Sequence, residues 1–443
     1  MILNPTFLKA YKLPALSIIA SALLYWLFAY NLERTQYFKL ITLYLGIFLL
    51  FYFLVKHFRK NVKLLTYLAF GFRTIFIIAI PNLSQDFYRF IWDGRALLEG
   101  INPYLFTVES FINADTFPIS QAQELYEGMG SLNASHYSNY PPINQLCFVM
   151  SGLFAGKSIL GSVVIMRLLI ITADLGTLYF GKKLLISLNL PVYNIFWYIL
   201  NPFIIIELTG NLHFEGVMIF FLVWSLYLLN SGKWHWAGVV LALSISTKLI
   251  PLIFLPLYFQ WFVKNKKTAD PKWILNFRGL TQLVLFYVIT IGTTVLLFLP
   301  FYSEEFLINY SNTVALWFQN FEFNGSLYYL IREIGYSFRG YNEISVIGKG
   351  ISILVILFIF LITFFRKNKT MAALITAMLL GLSFYYFTAT TVHPWYIATL
   401  LILSIFTKYR FPLVWSCAII LSYLAYLNIN KADKAENLWI IGL

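Results

Sequence analysis

The chain has 443 residues, of which 60% are hydrophobic, 19% aromatic and only 12% charged. That composition excludes an ordinary soluble domain and points to a bilayer. The formal net charge of +13 would suit nucleic acid, but the basic residues fall in short gaps between apolar runs, where they orient helices, so nucleic acid is excluded as a partner. Cys147 and Cys417 sit in apolar surroundings without partner spacing, so neither a disulfide framework nor a metal knuckle is implied.

Leu13 to Tyr30 is long enough to span and lacks a small-residue cleavage site, so it reads as a first span and not a removed signal. Further apolar stretches, about twenty residues each with some shorter, begin near Lys39, Val62, Ile159, Pro191, Phe214, Trp234, Leu249, Leu280, Ile344, Met371, Pro394 and Phe411. The expectation is an all-α polytopic membrane protein of roughly thirteen transmembrane helices, forming one integral-membrane domain over residues 1–443. Ile143 to Lys157 is short for a span and reads as an amphipathic or re-entrant segment. Trp234 to Phe262 reads as two short helices broken near Lys248-Leu249-Ile250-Pro251, because proline cannot continue a helix ladder. Lys248 then faces outward.

Basic residues predict the threading. Lys56, Arg59, Lys60 and Lys63 mark one gap; Lys264, Lys266, Lys267, Lys272 and Arg278 a second; Arg366, Lys367 and Lys369 a third; Lys408 and Arg410 a fourth. Such gaps are cytoplasmic. With Lys9 and Lys12 also inside, alternation puts 82–142, 211–215, 302–343 and 390–393 on the opposite side. Acidic residues agree: Asp86, Asp93, Glu99, Glu109, Asp115, Glu124 and Glu127 crowd the first outer loop, and Glu304, Glu305, Glu322, Glu333 and Glu343 the second. Lys431 to Glu436 reads as a solvated tail. Gly156-Lys157-Ser158 has the tail of a phosphate-loop pattern, but Ser151 stands where that pattern needs glycine.

The first outer loop opens with Ser84-Gln85-Asp86-Phe87-Tyr88-Arg89 and closes with Tyr140-Pro141-Pro142. A carboxylate at a membrane exit is costly unless compensated, which makes Asp86 a functional candidate. Asp86 to Gly100 predicts a helix capped by Ser84, with Asp86, Arg89 and Asp93 on one side and Phe87, Phe90, Ile91 and Leu98 dipping into the interface. The plainer account is a solvated Asp-Arg pair, worth under about 1 kcal/mol. Asn211 to Glu215 presents His213 and Glu215 as sugar, phosphate or metal contacts, or as an ordinary polar turn. His393 beside Pro394-Trp395-Tyr396 is either functional or part of an aromatic belt. Arg167 and Asp174, seven residues apart, are expected to pair through neighbours within the bundle. Glu207 either does likewise or approaches the outer cavity.

These residues carry a resemblance. With Gly100-Ile101-Asn102-Pro103-Tyr104, Asn139-Tyr140-Pro141-Pro142-Ile143, Asn201-Pro202, Gly210-Asn211, Lys248 before Pro251 and, more loosely, Phe323 to Tyr329 and His393 to Tyr396, the chain resembles polyprenyl-phosphate-sugar-dependent glycosyltransferases of the C fold class. It looks most like bacterial mannosyltransferase-like members and, distantly, the enzyme adding the first mannose of GPI anchors. The resemblance implies an outer loop with interfacial helices and a bacterial inner-membrane location, with the site facing the periplasm or exterior. It also implies inverting transfer of a hexose, mannose first, from a polyprenyl-phosphate donor to a hydroxyl of a lipid or glycan acceptor among membrane lipids. Asp86 would be the base. Arg89, Asp93, Arg95, Asn211, His213, Glu215, Lys248 and His393 would bind donor phosphate or sugar, and Tyr88, Tyr140, Glu322 and Asn324 would contact acceptor or loop.

Two departures from the pattern matter. The GPI enzyme has two acids where this chain has Asp86 alone, so no paired-acid metal site follows; a divalent metal stays open and no cofactor is certain. Two extra helices precede the loop, where the family often has one before its catalytic Asp. A lipid-linked sugar flippase or other transporter is the alternative, but it would place charges at mid-membrane and break helices at matching places in two halves. Here the charges crowd one surface. A non-catalytic scaffold is the third reading.

Overall fold

The computed structural model describes residues 5–263, 276–319 and 321–426. Lys264, Lys266, Lys267 and Lys272 of the second basic gap, and the Lys431 to Glu436 tail, lie outside the described residues. Within them the fold is helical, with an isolated parallel bridge between Phe323 and Thr391. Six helices are long and apolar enough to cross a membrane: Lys12–Tyr30, Tyr37–His57, Ile159–Ser187, Phe277–Phe301, Ile344–Phe365 and Met371–Thr388. Val192–Ile199 and Pro202–Gly210, bent by 49°, make a seventh if taken as one span. The chain is a polytopic integral membrane protein.

Each apolar stretch anticipated from the sequence is helical, yet several are too short to cross alone. Val62–Thr74 has 13 residues, and Glu215–Asn230, Trp234–Ile245, Ile250–Val263, Pro394–Ile405 and Phe411–Ala425 are also short. Among the described residues six or seven full spans therefore stand against the roughly thirteen expected. Proline and its neighbours explain much of the breakage. Pro202 lacks the donor that would continue the ladder, and the Asn201 side chain accepts from the Phe203 N–H at 3.0 Å to restart it. Pro251 and Pro256 hold Ile250–Tyr258 in tight 3₁₀ turns after the expected break at Lys248.

Between Thr74 and Ile159 the chain makes four helices without a full span: Asp86–Leu98, Val108–Asn113, Ala122–Ala134 and Pro142–Ala155. Phe90 stacks face to face on Phe148 at 4.6 Å and edge-on to Tyr140 and Phe214. Phe87, Phe90 and Ile91 are thus covered by protein rather than dipped into lipid, and only Leu98 of that set is exposed. Gly94 permits this packing, since a Cβ there would stand 2.3 Å from the Phe148 carbonyl oxygen. Gly94→Ala should destabilise the protein by about 1–3 kcal/mol, as overpacking does. Gly71→Ala, where a Cβ meets nothing within 4 Å, should not; thermal unfolding in detergent compares them.

The buried charges pair differently from expectation. Arg73 reaches Asp174 with Nε–Oδ2 at 2.8 Å, while its Nη1 donates to the Ala69 and Ile199 carbonyls. Arg167 instead donates to the carbonyls of Thr209, Gly210 and Ile77. Two of these belong to the wide turn that closes the bent helix, whose carbonyls lack regular partners. A cation from the Val62–Thr74 helix therefore takes the acid that sequence spacing had assigned to Arg167.

Candidate active site

Three turns converge to place Asp86. Asn82 donates to the carbonyls of Phe28 and Leu32 at 2.7 and 3.1 Å, and the Leu83 N–H donates to Asn211 Oδ1 at 3.0 Å. Arg34 Nη1 donates to the Leu83 carbonyl at 3.3 Å. Asp86 then opens its helix with Gln85 at the cap, one residue later than the Ser84 cap expected from sequence, and the Ser84 hydroxyl accepts from the Asp86 N–H at 3.3 Å. Helix N-termini favour negative charge. Asp86 is half-buried, and burial pushes its pKa up to about 6 against the attraction of Lys248, with Glu215 adding repulsion and Arg34 further attraction. It is the profile of a carboxylate at the wall of a recess, able to hold or release a proton near neutrality.

Opposite Asp86, Lys248 extends from the break before Pro251. Its Nζ lies 3.2 Å from Glu215 Oε1 and 5.1 Å from the centroid of the Tyr140 ring. Lys248 keeps 22% of its side chain exposed while Glu215 keeps 5%, so the lysine retains room for an anion. His213 stacks on Trp395 at 3.6 Å, and Trp395 stacks on His393 at 4.7 Å. Behind them Glu207 is buried, 3.7 Å from His213 Nε2, and accepts from the Tyr423 hydroxyl at 2.8 Å. Burial, with the Lys248 charge beside them, holds His213 well below the usual imidazole range and His393 down to about 3. Both rings are therefore neutral at physiological pH, offering hydrogen bonds instead of the positive charge that a phosphate contact would need.

Several sequence candidates go elsewhere. Arg89 pairs with Asp93 at 2.7 Å, not with Asp86, and donates to the Asn133 and His136 carbonyls. Asp93 also accepts from Ser138 and Gln145. Arg95 donates to the Ser120 carbonyl and Gln121. These three residues stitch the loop together. Asn211 spends its amide on Leu83 and the Ile206 carbonyl. Tyr88 lies so close over Gly128 that a Cβ there would meet it at 2.6 Å. Tyr140 does join the site, its carbonyl accepting from the Tyr104 hydroxyl at 2.5 Å. Glu322 is taken by Tyr328 and Arg332, and Asn324 donates to the Val392 carbonyl beside His393.

Sequence reasoning missed Arg34 and named Trp395 only as a neighbour of His393, whereas Glu207 takes the second of its two expected places, behind the outer cavity. Arg34 had a signal: it is the basic residue of the short Asn31–Gln36 gap, which helix alternation puts on the same side as Asp86. Among the described residues no three His, Cys, Asp or Glu side chains converge as a metal set. An apolar groove of 370 Å³ lies apart from these groups, lined by residues including Leu255, Phe259, Leu283, Tyr287 and Phe360.

Residues 8–264 match the profile of the alpha-(1→6)-mannopyranosyltransferase N-terminal domain family. The chain belongs to this family. The match covers Arg34, Asp86, Glu215 and Lys248, and stops short of His393 and Trp395. A relative, alpha-(1→6)-mannopyranosyltransferase A of Mycobacterium tuberculosis, is 22% identical over 218 residues, which is 48% of this chain and 40% of that protein. The aligned part thus spans less than half the length of that curated relative.

Proposed function

We propose that the chain is an integral-membrane mannosyltransferase, using a polyprenyl-phosphate mannose donor and an acceptor hydroxyl on the non-cytoplasmic face. The single observation that carries this reading is Asp86, a half-buried carboxyl with a raised pKa that feels the positive charges of both Lys248 and Arg34. Family membership supplies the sugar. The basic residues at the other ends of the helices supply the orientation.

In this mechanism Asp86 takes the proton of the acceptor hydroxyl as its oxygen bonds to the anomeric carbon. The bond from that carbon to the phosphate oxygen breaks, and polyprenyl phosphate departs with the electron pair. Lys248 and Arg34 neutralise the leaving phosphate, replacing Arg89 and Arg95, which are committed to the loop. His213, Trp395, His393 and Tyr140 wall the sugar. A single displacement inverts, so an α-linked product requires a β-linked donor. Glu215 holds Lys248 in place before the phosphate arrives.

Charge-assisted phosphate contacts contribute about 1.5–3 kcal/mol each. Lys248→Gln and Arg34→Gln should each raise the donor KM by roughly ten- to a hundredfold. Steady-state kinetics with lipid-linked donor at saturating acceptor measures this. The reading itself is tested by incubating purified protein with labelled polyprenyl-phosphate mannose or with a nucleotide mannose, each with and without chelator. Transfer from the lipid donor alone is expected; transfer only from the nucleotide sugar overturns it.

One feature favours the transporter alternative, the bent Val192–Gly210 segment, since discontinuous helices line transport sites. Arg167 fills the carbonyls at its end, however, leaving no open cation site there. Flux of labelled lipid-sugar across vesicles without product formation would restore that reading.

A further inference from the structure

The Leu327–Arg339 helix has two unlike faces. On one, Tyr328 and Tyr329 are buried, Tyr328 donates to Glu322 at 2.7 Å, and Arg332 meets the same carboxylate at 2.9 Å. This face is bound to the protein. On the other, Leu327, Leu330, Ile331, Ile334 and Phe338 follow helical spacing and fill an arc of about 100°. These five side chains are between 43% and 83% exposed. Glu333 and Ser337 border the arc along one edge.

A contiguous row of large apolar side chains on one helix face marks a binding or membrane surface, not a solvated one. What covers it follows from continuity. Five residues after Arg339 begins the span Ile344–Phe365, whose Val346, Ile353, Ile356 and Leu357 are likewise exposed as a lipid-facing surface. The polar edge and the apolar arc have the division of an interfacial helix, which lies in the plane of the membrane with its apolar face sunk into the acyl boundary.

We infer that Leu327–Arg339 is seated in the bilayer interface, its Leu330, Ile334 and Phe338 face buried among lipid chains and its Tyr328 and Arg332 face on the protein. The occupant of this surface is the lipid bilayer, not a second copy of the chain. The seating reaches the candidate site. Glu322, which grips the helix, precedes Phe323, whose N–H donates to Thr390 and whose carbonyl accepts from Val392, next to His393. The helix anchors to the membrane the loop that backs His393.

The test uses full-length protein in nanodiscs of phosphatidylethanolamine and phosphatidylglycerol, with Cys147→Ala and Cys417→Ala as background. Nitroxide labels are placed at Ile334→Cys, Phe338→Cys and Glu333→Cys, and monodisperse elution checks folding. Collisions with oxygen should exceed those with a water-soluble nickel chelate at 334 and 338, and the order should reverse at 333. A nickel-dominated response at all three positions would overturn the seating. Dipolar broadening between Ile334→Cys labels on two copies would overturn it in favour of self-association. Neither readout depends on transferase activity, so the outcome stands apart from the proposed function.

Discussion

Asp86→Asn is expected to lower turnover by about a hundred- to ten-thousandfold, the range of a positioned general base, while leaving elution and thermal unfolding close to wild type. The amide keeps the size of the carboxylate and can still sit against Ser84, but it cannot take the hydroxyl proton. The accompanying pH profile follows from the raised pKa. A base must be ionised, so wild-type kcat/KM should be flat well above pH 6 and fall about tenfold per unit below it. A bound donor phosphate offsets the Lys248 and Arg34 charges that hold the Asp86 pKa down, so the acid limb of kcat should lie higher than that of kcat/KM. Full turnover by the Asn variant, or an acid limb near pH 4, would remove Asp86 from the chemistry.

What could be seen in the sequence was set by how local the physics is. Apolar runs are visible as composition, and the break before Pro251 as a single residue, so the apolar helical segments were foreseen; their individual lengths were not, because a short helix packed inside the bundle and a full span share the same apolar content, and the loop helices Val108–Asn113, Ala122–Ala134, Glu304–Gln319 and Leu327–Arg339 have no such run to mark them. Asp86, Glu215 and Lys248 were each singled out by polarity at a membrane exit, and the fold brings them together. Arg89 and Arg95 looked equally suitable because sequence shows a charge but not its partner. Carbonyls of residues 25 to 47 positions away in the chain consume those guanidinium groups. The stacked His213, Trp395 and His393 rings come from segments 180 residues apart, which no spacing rule anticipates.

Arg73→Met is expected to cost about 3–5 kcal/mol of stability, because it strands Asp174 in the bundle without its cation. Neither side chain has measurable exposure, so water cannot compensate the loss. Removing both charges is a different perturbation. Arg73→Met combined with Asp174→Leu should recover most of the loss, since replacing a whole buried pair by apolar groups of similar volume is often neutral. Thermal unfolding of the two variants in one detergent measures the difference; equal destabilisation would show that the Arg73 bonds to Ala69 and Ile199 outweigh the ion pair. The effect should also reach the candidate site, since Arg73 closes the helix that leads to Asp86, and beyond it the Ile75 carbonyl accepts from Tyr30 and the Ile77 carbonyl from Arg167. A single variant that loosens the bundle should therefore lower kcat as well as the unfolding midpoint, and the double variant should restore the two together.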